Sequence, residues 1–87
     1  MKLIFLYKSI SEFGRITEEF AQRIRDFHPQ IQINLIESES FEGIEKASLY
    51  DIMTFPAILA VTEDSILENA WIGPSFPSID EVMFYVR

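Results

Sequence analysis

Ser9, Ser11 and Glu12 lie within the stretch SISEFGR, where polar residues interrupt two apolar segments. A hydroxyl at the start of a helix can accept from a backbone N–H and cap it. It can also donate to an anionic sulfur or oxygen of a bound ligand, which would be enzyme chemistry. Capping is the simpler use. His28 stands next to Pro29 with no second His or Cys at ligand spacing, so it reads as a helix-end histidine. Glu37, Glu39 and Glu42 could hold a hard cation, but they lack the ordered spacing of a calcium loop. They read as a solvated acidic edge. The chain has no cysteine, which removes disulfides, thiolate nucleophiles and Cys-ligated metal. No catalytic residue, metal ligand set or cofactor emerges.

The totals narrow the partners. With a formal net charge of −7, the surface repels nucleic-acid phosphates and anionic lipid, which bind clustered Lys and Arg. The seven basic residues are scattered instead. Neither nucleic acid nor a membrane surface is expected. The apolar run Leu3–Tyr7 is too short for a secretory signal core, and no segment could span a bilayer. A cytoplasmic location is the expectation. A chain of 87 residues has room for one domain, taken as 1–87, and its 48% hydrophobic content supplies a dense core for that size.

Several elements must position these groups. Leu3–Tyr7 is an unbroken apolar run and reads as a strand buried on both faces. Ser9 with Glu12, or Ser11 alone, would cap a first helix. Phe13, Ile16, Phe20, Ile24 and Phe27 make its apolar stripe, with Glu19 and Arg23 paired on another face. Pro29 ends it. Ile31–Ile36 alternates apolar and polar residues as a second strand. Ser40 would cap a helix from Phe41 to about Tyr50, with Ile44 and Ala47 inward. Pro56–Val61 reads as a third strand, and ILENAWIG returns antiparallel after the turn at Thr62–Ser65. Ser78 and Glu81 open a last helix with the stripe Ile79, Val82, Met83 and Val86. The order β-α-β-α-β-β-α gives a mixed four-stranded sheet with helices on both faces, an α/β fold. The first crossover is right-handed and parallel.

That order resembles the thioredoxin-like superfamily, and the residues around Pro56 strengthen the likeness. Ala47, Tyr50, Ile52 and Pro56, leading into AILAV, resemble the thioredoxin pattern of a small residue followed by Tyr-x-Ile-x-x-x-Pro. Thr54-Phe55-Pro56 resembles the Thr-Val-Pro of glutaredoxins, and Trp71-Ile72-Gly73 resembles the segment closing the fourth strand in both families. The stretches LYKSISEFGR and DIMTFPAILAV also resemble those of the cysteine-free KaiB clock proteins. The thioredoxin likeness implies a cis bond before Pro56. It also implies an outward-facing Phe55 backbone, which in relatives pairs with an extended substrate segment.

The redox site of that superfamily is missing. Its Cys-x-x-Cys position is held by Ser11–Gly14, or by Glu12–Arg15 in the next register. Phe5, Leu6 and Tyr7 stand where thioredoxins bury an acid, and Pro74 follows Gly73 where glutaredoxins have a second glycine. The resemblance also implies that Phe13, Phe55 and Phe76 converge on one face, where they would form an exposed apolar patch of the kind that marks a partner surface; the alternative is that one or two of them, Phe13 first because it fits the helix stripe, turn inward and fill the core. The leading expectation is a redox-inactive module that binds a protein or extended peptide. Its site would comprise Ser11, Glu12, Phe13, Arg15, Thr54, Phe55, Pro56, Gly73 and Phe76. A second class is a glutathione-binding enzyme or remnant using the hydroxyl of Ser9 or Ser11, by likeness to glutathione transferases. A third is a structural domain that pairs with itself, giving a possible homodimer.

Overall fold

Residues 3–6 sit at the centre of the molecule because both faces of their strand are covered. The computed structural model describes Met1–Val86 and places β1 at Lys2–Tyr7, α1 at Gly14–Phe27 and β2 at Gln32–Glu37. It then places α2 at Phe41–Leu49, β3 at Ala57–Val61, β4 at Leu67–Ile72 and α3 at Ile79–Val86. The sheet order is β2-β1-β3-β4. β1 runs parallel to β2 and antiparallel to β3, and β3 and β4 are antiparallel. The element order and the mixed sheet are those expected from the sequence.

Strand alternation divides the core into two layers. Leu3, Phe5, Ile58 and Ala60 face α1 and α3, where they meet Phe20, Ala21, Ile24, Val82, Met83 and Val86. Ile4, Leu6, Ala57, Leu59 and Val61 face the other side, where Ala47 and Tyr50 pack over them. No described helix is long and apolar enough to cross a membrane.

Several local expectations are corrected. The buried face of α1 is Gly14, Thr17, Phe20, Ala21 and Ile24, whereas Ile16 is 41% and Phe27 71% exposed. At 3.6 residues per turn, that face is rotated by roughly 60° from the bulky stripe. Phe20 and Ile24 stay in the core, and Ile16 and Phe27 are left on the shoulder of the helix. Ile44 is likewise 58% exposed, and the buried residue of α2 is Gly43. Glu19 pairs with Arg15 at 3.7 Å, while the Arg23 guanidinium lies over the Phe20 ring, 5.9 Å from its centre. β2 and β3 each begin one residue later than expected, at Gln32 and Ala57.

The caps are of two kinds. Ser40 caps α2, its hydroxyl oxygen accepting from the Gly43 N–H at 3.0 Å. Ser78 accepts from the Glu81 N–H at 3.1 Å, but the Glu81 carboxylate accepts from the Trp71 indole at 2.7 Å instead of closing the box. At α1 the N-cap is Phe13, with no side-chain cap. A serine cap there was expected, and the chain makes a tighter turn instead.

Candidate functional site

The end of β1 and the start of β3 are neighbours in the sheet, since Leu6 pairs with Ala57. The loops leaving these two points must therefore face each other. Tyr7, Lys8, Ser11, Glu12 and Phe13 form one wall of a cavity of about 630 Å³, and Met53, Thr54, Phe55 and Pro56 form the other. That volume falls within the range of small-ligand clefts.

The first wall is held by a small network. The Ser11 hydroxyl donates to the Lys8 carbonyl at 2.7 Å and accepts from the Phe13 N–H at 3.3 Å. The Ser11 carbonyl accepts from the Gly14 N–H at 3.2 Å. Ser9 donates its N–H to Glu37 Oε2 at 3.3 Å, and Lys8 Nζ lies 3.5 Å from Glu39. Ser11 thus ties down the loop ahead of α1, and its only proton is committed to a backbone carbonyl.

Tyr7 is almost fully buried at the end of β1, and its hydroxyl donates to Glu18 Oε2 at 2.7 Å. Burial pushes the phenol up to about 12, helped by the Glu18 hydrogen bond and the charges of Glu18 and Glu37. Each of these disfavours a phenolate. The hydroxyl is therefore a neutral group at neutral pH.

The second wall is a backbone feature. Ile52 donates to the Ala47 carbonyl at 2.8 Å, and ladder pairing begins at Ala57. Between them, no hydrogen bond among the described residues uses the N–H or C=O of Phe55. The Phe55–Pro56 peptide bond is cis. The Pro56 carbonyl accepts from the Gly73 N–H at 2.9 Å, and Gly73 adopts a φ of 100°. The Phe55 ring is half-buried against the second core layer, and Met53 is 86% exposed.

Of the nine residues expected at this site, Ser11, Glu12, Phe13, Thr54, Phe55 and Pro56 line the cavity. Gly73 is joined to it only through the Pro56 carbonyl. Arg15 is turned along α1 to Glu19. Phe76 is elsewhere: it stacks on Phe20, ring centres 5.0 Å apart, against the layer under α1 and α3. Its ring adds to that layer because Phe20, on the true buried face of α1, offers it a flat partner. The three-aromatic patch therefore reduces to Phe13 and Phe55, joined by Met53. Tyr7, Lys8 and Met53 were not anticipated. Tyr7 could have been found from its place as the last residue of the strand that feeds the loop. Met53 carried no signal beyond being an apolar residue in a polar turn.

No protein-family profile matches the chain, and no curated protein matches it. Two solved structures are similar in fold. Thioredoxin 1 from Thermosipho africanus superposes with a TM-score of 0.69 at 16% identity, over 98% of this chain and 89% of that one. Thioredoxin O2 from Arabidopsis thaliana, in its oxidized state, gives 0.70 at 5% identity, over 95% and 69% respectively. The chain therefore has a thioredoxin-like fold, and it has no cysteine to place in it.

Proposed function

We propose that this chain is a redox-inactive thioredoxin-like module that binds an extended segment of a protein partner along Met53–Phe55. The observation that carries this reading is the unpaired backbone N–H and C=O of Phe55 on one wall of an open cavity. Such groups are a template for strand addition, in which main-chain hydrogen bonds give affinity and neighbouring pockets select side chains. Phe13, Phe55 and Met53 supply an apolar lining that water covers at a cost, which a partner side chain would relieve. Dithiol exchange is not available to a chain without thiols.

The experiment is amide chemical-shift mapping of the labelled protein with pools of blocked heptapeptides. The reading expects saturable shifts at Met53, Thr54 and Phe55 and in the loop Lys8–Phe13. Shifts confined to the β4 edge or to α2, or none at millimolar peptide, overturn it. Glutathione is the control ligand, and shifts at Ser11, Thr54 and Gly73 would favour the glutathione-binding alternative. Against the Ser11 form of that alternative, the Ser11 hydroxyl proton and the Gly73 N–H are already used within the chain. Sedimentation over a range of concentrations tests self-association, which a monomer throughout would exclude.

A further inference from the structure

Two of the three side-chain hydroxyls that line the cavity are already spent as donors. The Tyr7 hydroxyl gives its proton to Glu18, the Ser11 hydroxyl gives its proton to Lys8, and the Phe13 N–H is taken by Ser11. A hydroxyl has one proton and two lone pairs. Tyr7 therefore has no proton left to offer a ligand. Glu12, on the same wall, offers a carboxylate. The Thr54 hydroxyl is the one side-chain O–H lining the cavity that has no hydrogen bond among the described residues.

The charges lean the same way. Glu18 is hydrogen-bonded to the cavity's tyrosine, and Glu37 lies close enough to act on that phenol. Opposing them is Lys8, whose ammonium is drawn 3.5 Å from Glu39. Arg15, the next nearest cation in sequence, is held by Glu19. The whole chain carries −7. An anionic ligand would enter against this field, whereas a cation would complete it.

The lining also suits a long cation. Phe13, Met53 and Phe55 give apolar surface beside the acceptors. A lysine or arginine lays its methylene stem on such a surface and keeps its charged head at the polar end.

We infer that the segment received at Met53–Phe55 is cationic, placing a lysine or arginine in the cavity between Phe13 and Met53 with its head toward Glu12 and the Tyr7–Glu18 pair. This inference rests on the strand-addition reading above. Backbone pairing at Phe55 fixes the segment, and the cavity beside it selects the charged side chain.

The test uses three blocked heptapeptide pools, degenerate at six positions and fixed at the centre as Arg, Leu or Glu. Each is titrated into the labelled protein while the Phe55 amide is followed. The Arg pool should bind about tenfold more tightly than the Glu pool at low ionic strength, and the gap should shrink several-fold in high salt. The double variant Glu12→Gln, Glu18→Gln should remove most of that preference. Glutamine keeps an acceptor for the Tyr7 hydroxyl, and a preserved amide spectrum verifies the fold. If the Leu or Glu pool binds at Phe55 as well as the Arg pool, or if the double variant keeps the Arg preference, the cationic occupant is overturned and the strand-addition reading stands. If no pool moves the Phe55 amide, the strand-addition reading itself fails and the cationic occupant falls with it.

Discussion

The Tyr7 hydroxyl, at the last residue of β1, donates to the Glu18 carboxylate in α1 at 2.7 Å. This bond joins the strand to the helix. Burial, then the bond and charge of Glu18, raise the Tyr7 pKa from 10 to about 12. In the unfolded chain the phenol ionises near pH 10, so between about pH 10 and 12 the folded state holds a proton that the unfolded state has lost. The contribution to stability is complete below pH 10 and disappears as pH rises through 12. Titration of the tyrosine ζ-carbon resonances should show Tyr7 ionising near pH 12. Glu18→Gln should lower that midpoint while leaving it above 10, because burial is the largest cause. A Tyr7 midpoint at or below 10 in the unmodified protein would contradict the buried, hydrogen-bonded phenol.

Gly43 presents a second test, with a sign opposite to the usual one. Replacing a helical glycine by alanine ordinarily stabilises by about 1 kcal/mol. Here a methyl group at position 43 would run into the Glu37 carbonyl oxygen, which is backbone at the end of β2 and cannot swing aside. Gly43→Ala is therefore destabilising, by about 1–3 kcal/mol as for other overpacked sites. Urea denaturation of the variant measures it, and a gain in stability would show that α2 does not approach β2 this closely.

The sequence made the order of elements legible because each strand and helix has its own period and its own breaker. Leu3–Tyr7 could only be a strand covered on both sides, and Ser40 and Ser78 sit where caps form. The face of α1 was harder, because Gly14, Thr17 and Ala21 are buried beside Phe20 and Ile24, and hydrophobic bulk does not mark small or polar residues. Pro56 marked the second wall of the site through its resemblance to a known turn, and six of nine expected residues line the cavity. Phe76 and Arg15 were misplaced for a common reason. Where a loop or surface side chain goes depends on its partner, and neither Phe20 nor Glu19 is signposted by local pattern.

Two of the serines proposed as caps, Ser40 and Ser11, should differ on substitution. Ser40 accepts from Gly43 within α2 and donates to the Glu37 carbonyl at 2.7 Å, so Ser40→Ala loses a true cap and should cost about 1 kcal/mol. Ser11 precedes the Phe13 N-cap and bonds only within its exposed loop. Ser11→Ala should cost about half as much or less, since surface changes away from caps and cores are small. Paired thermal melts of the two variants decide between them, and an equal or larger loss at Ser11 would mean that its hydroxyl caps α1 after all.

Phe13 and Phe76 separate binding from packing. Phe76 stacks on Phe20 beneath α1 and lies off the cavity, so Phe76→Ala should lose about 2 kcal/mol of stability through lost burial and stacking. Its surviving folded fraction should still show the peptide-induced shift at Phe55, with an unchanged dissociation constant. Phe13 lines the cavity and is half-exposed, so Phe13→Ala should cost less than about 1 kcal/mol in stability while weakening peptide binding several-fold. Denaturation and amide titration on the same two variants give both numbers. The reverse pattern, with binding lost at Phe76 and kept at Phe13, would move the partner surface to the face under α1 and α3. It would leave the Phe55 backbone as an unpaired turn with no partner to meet.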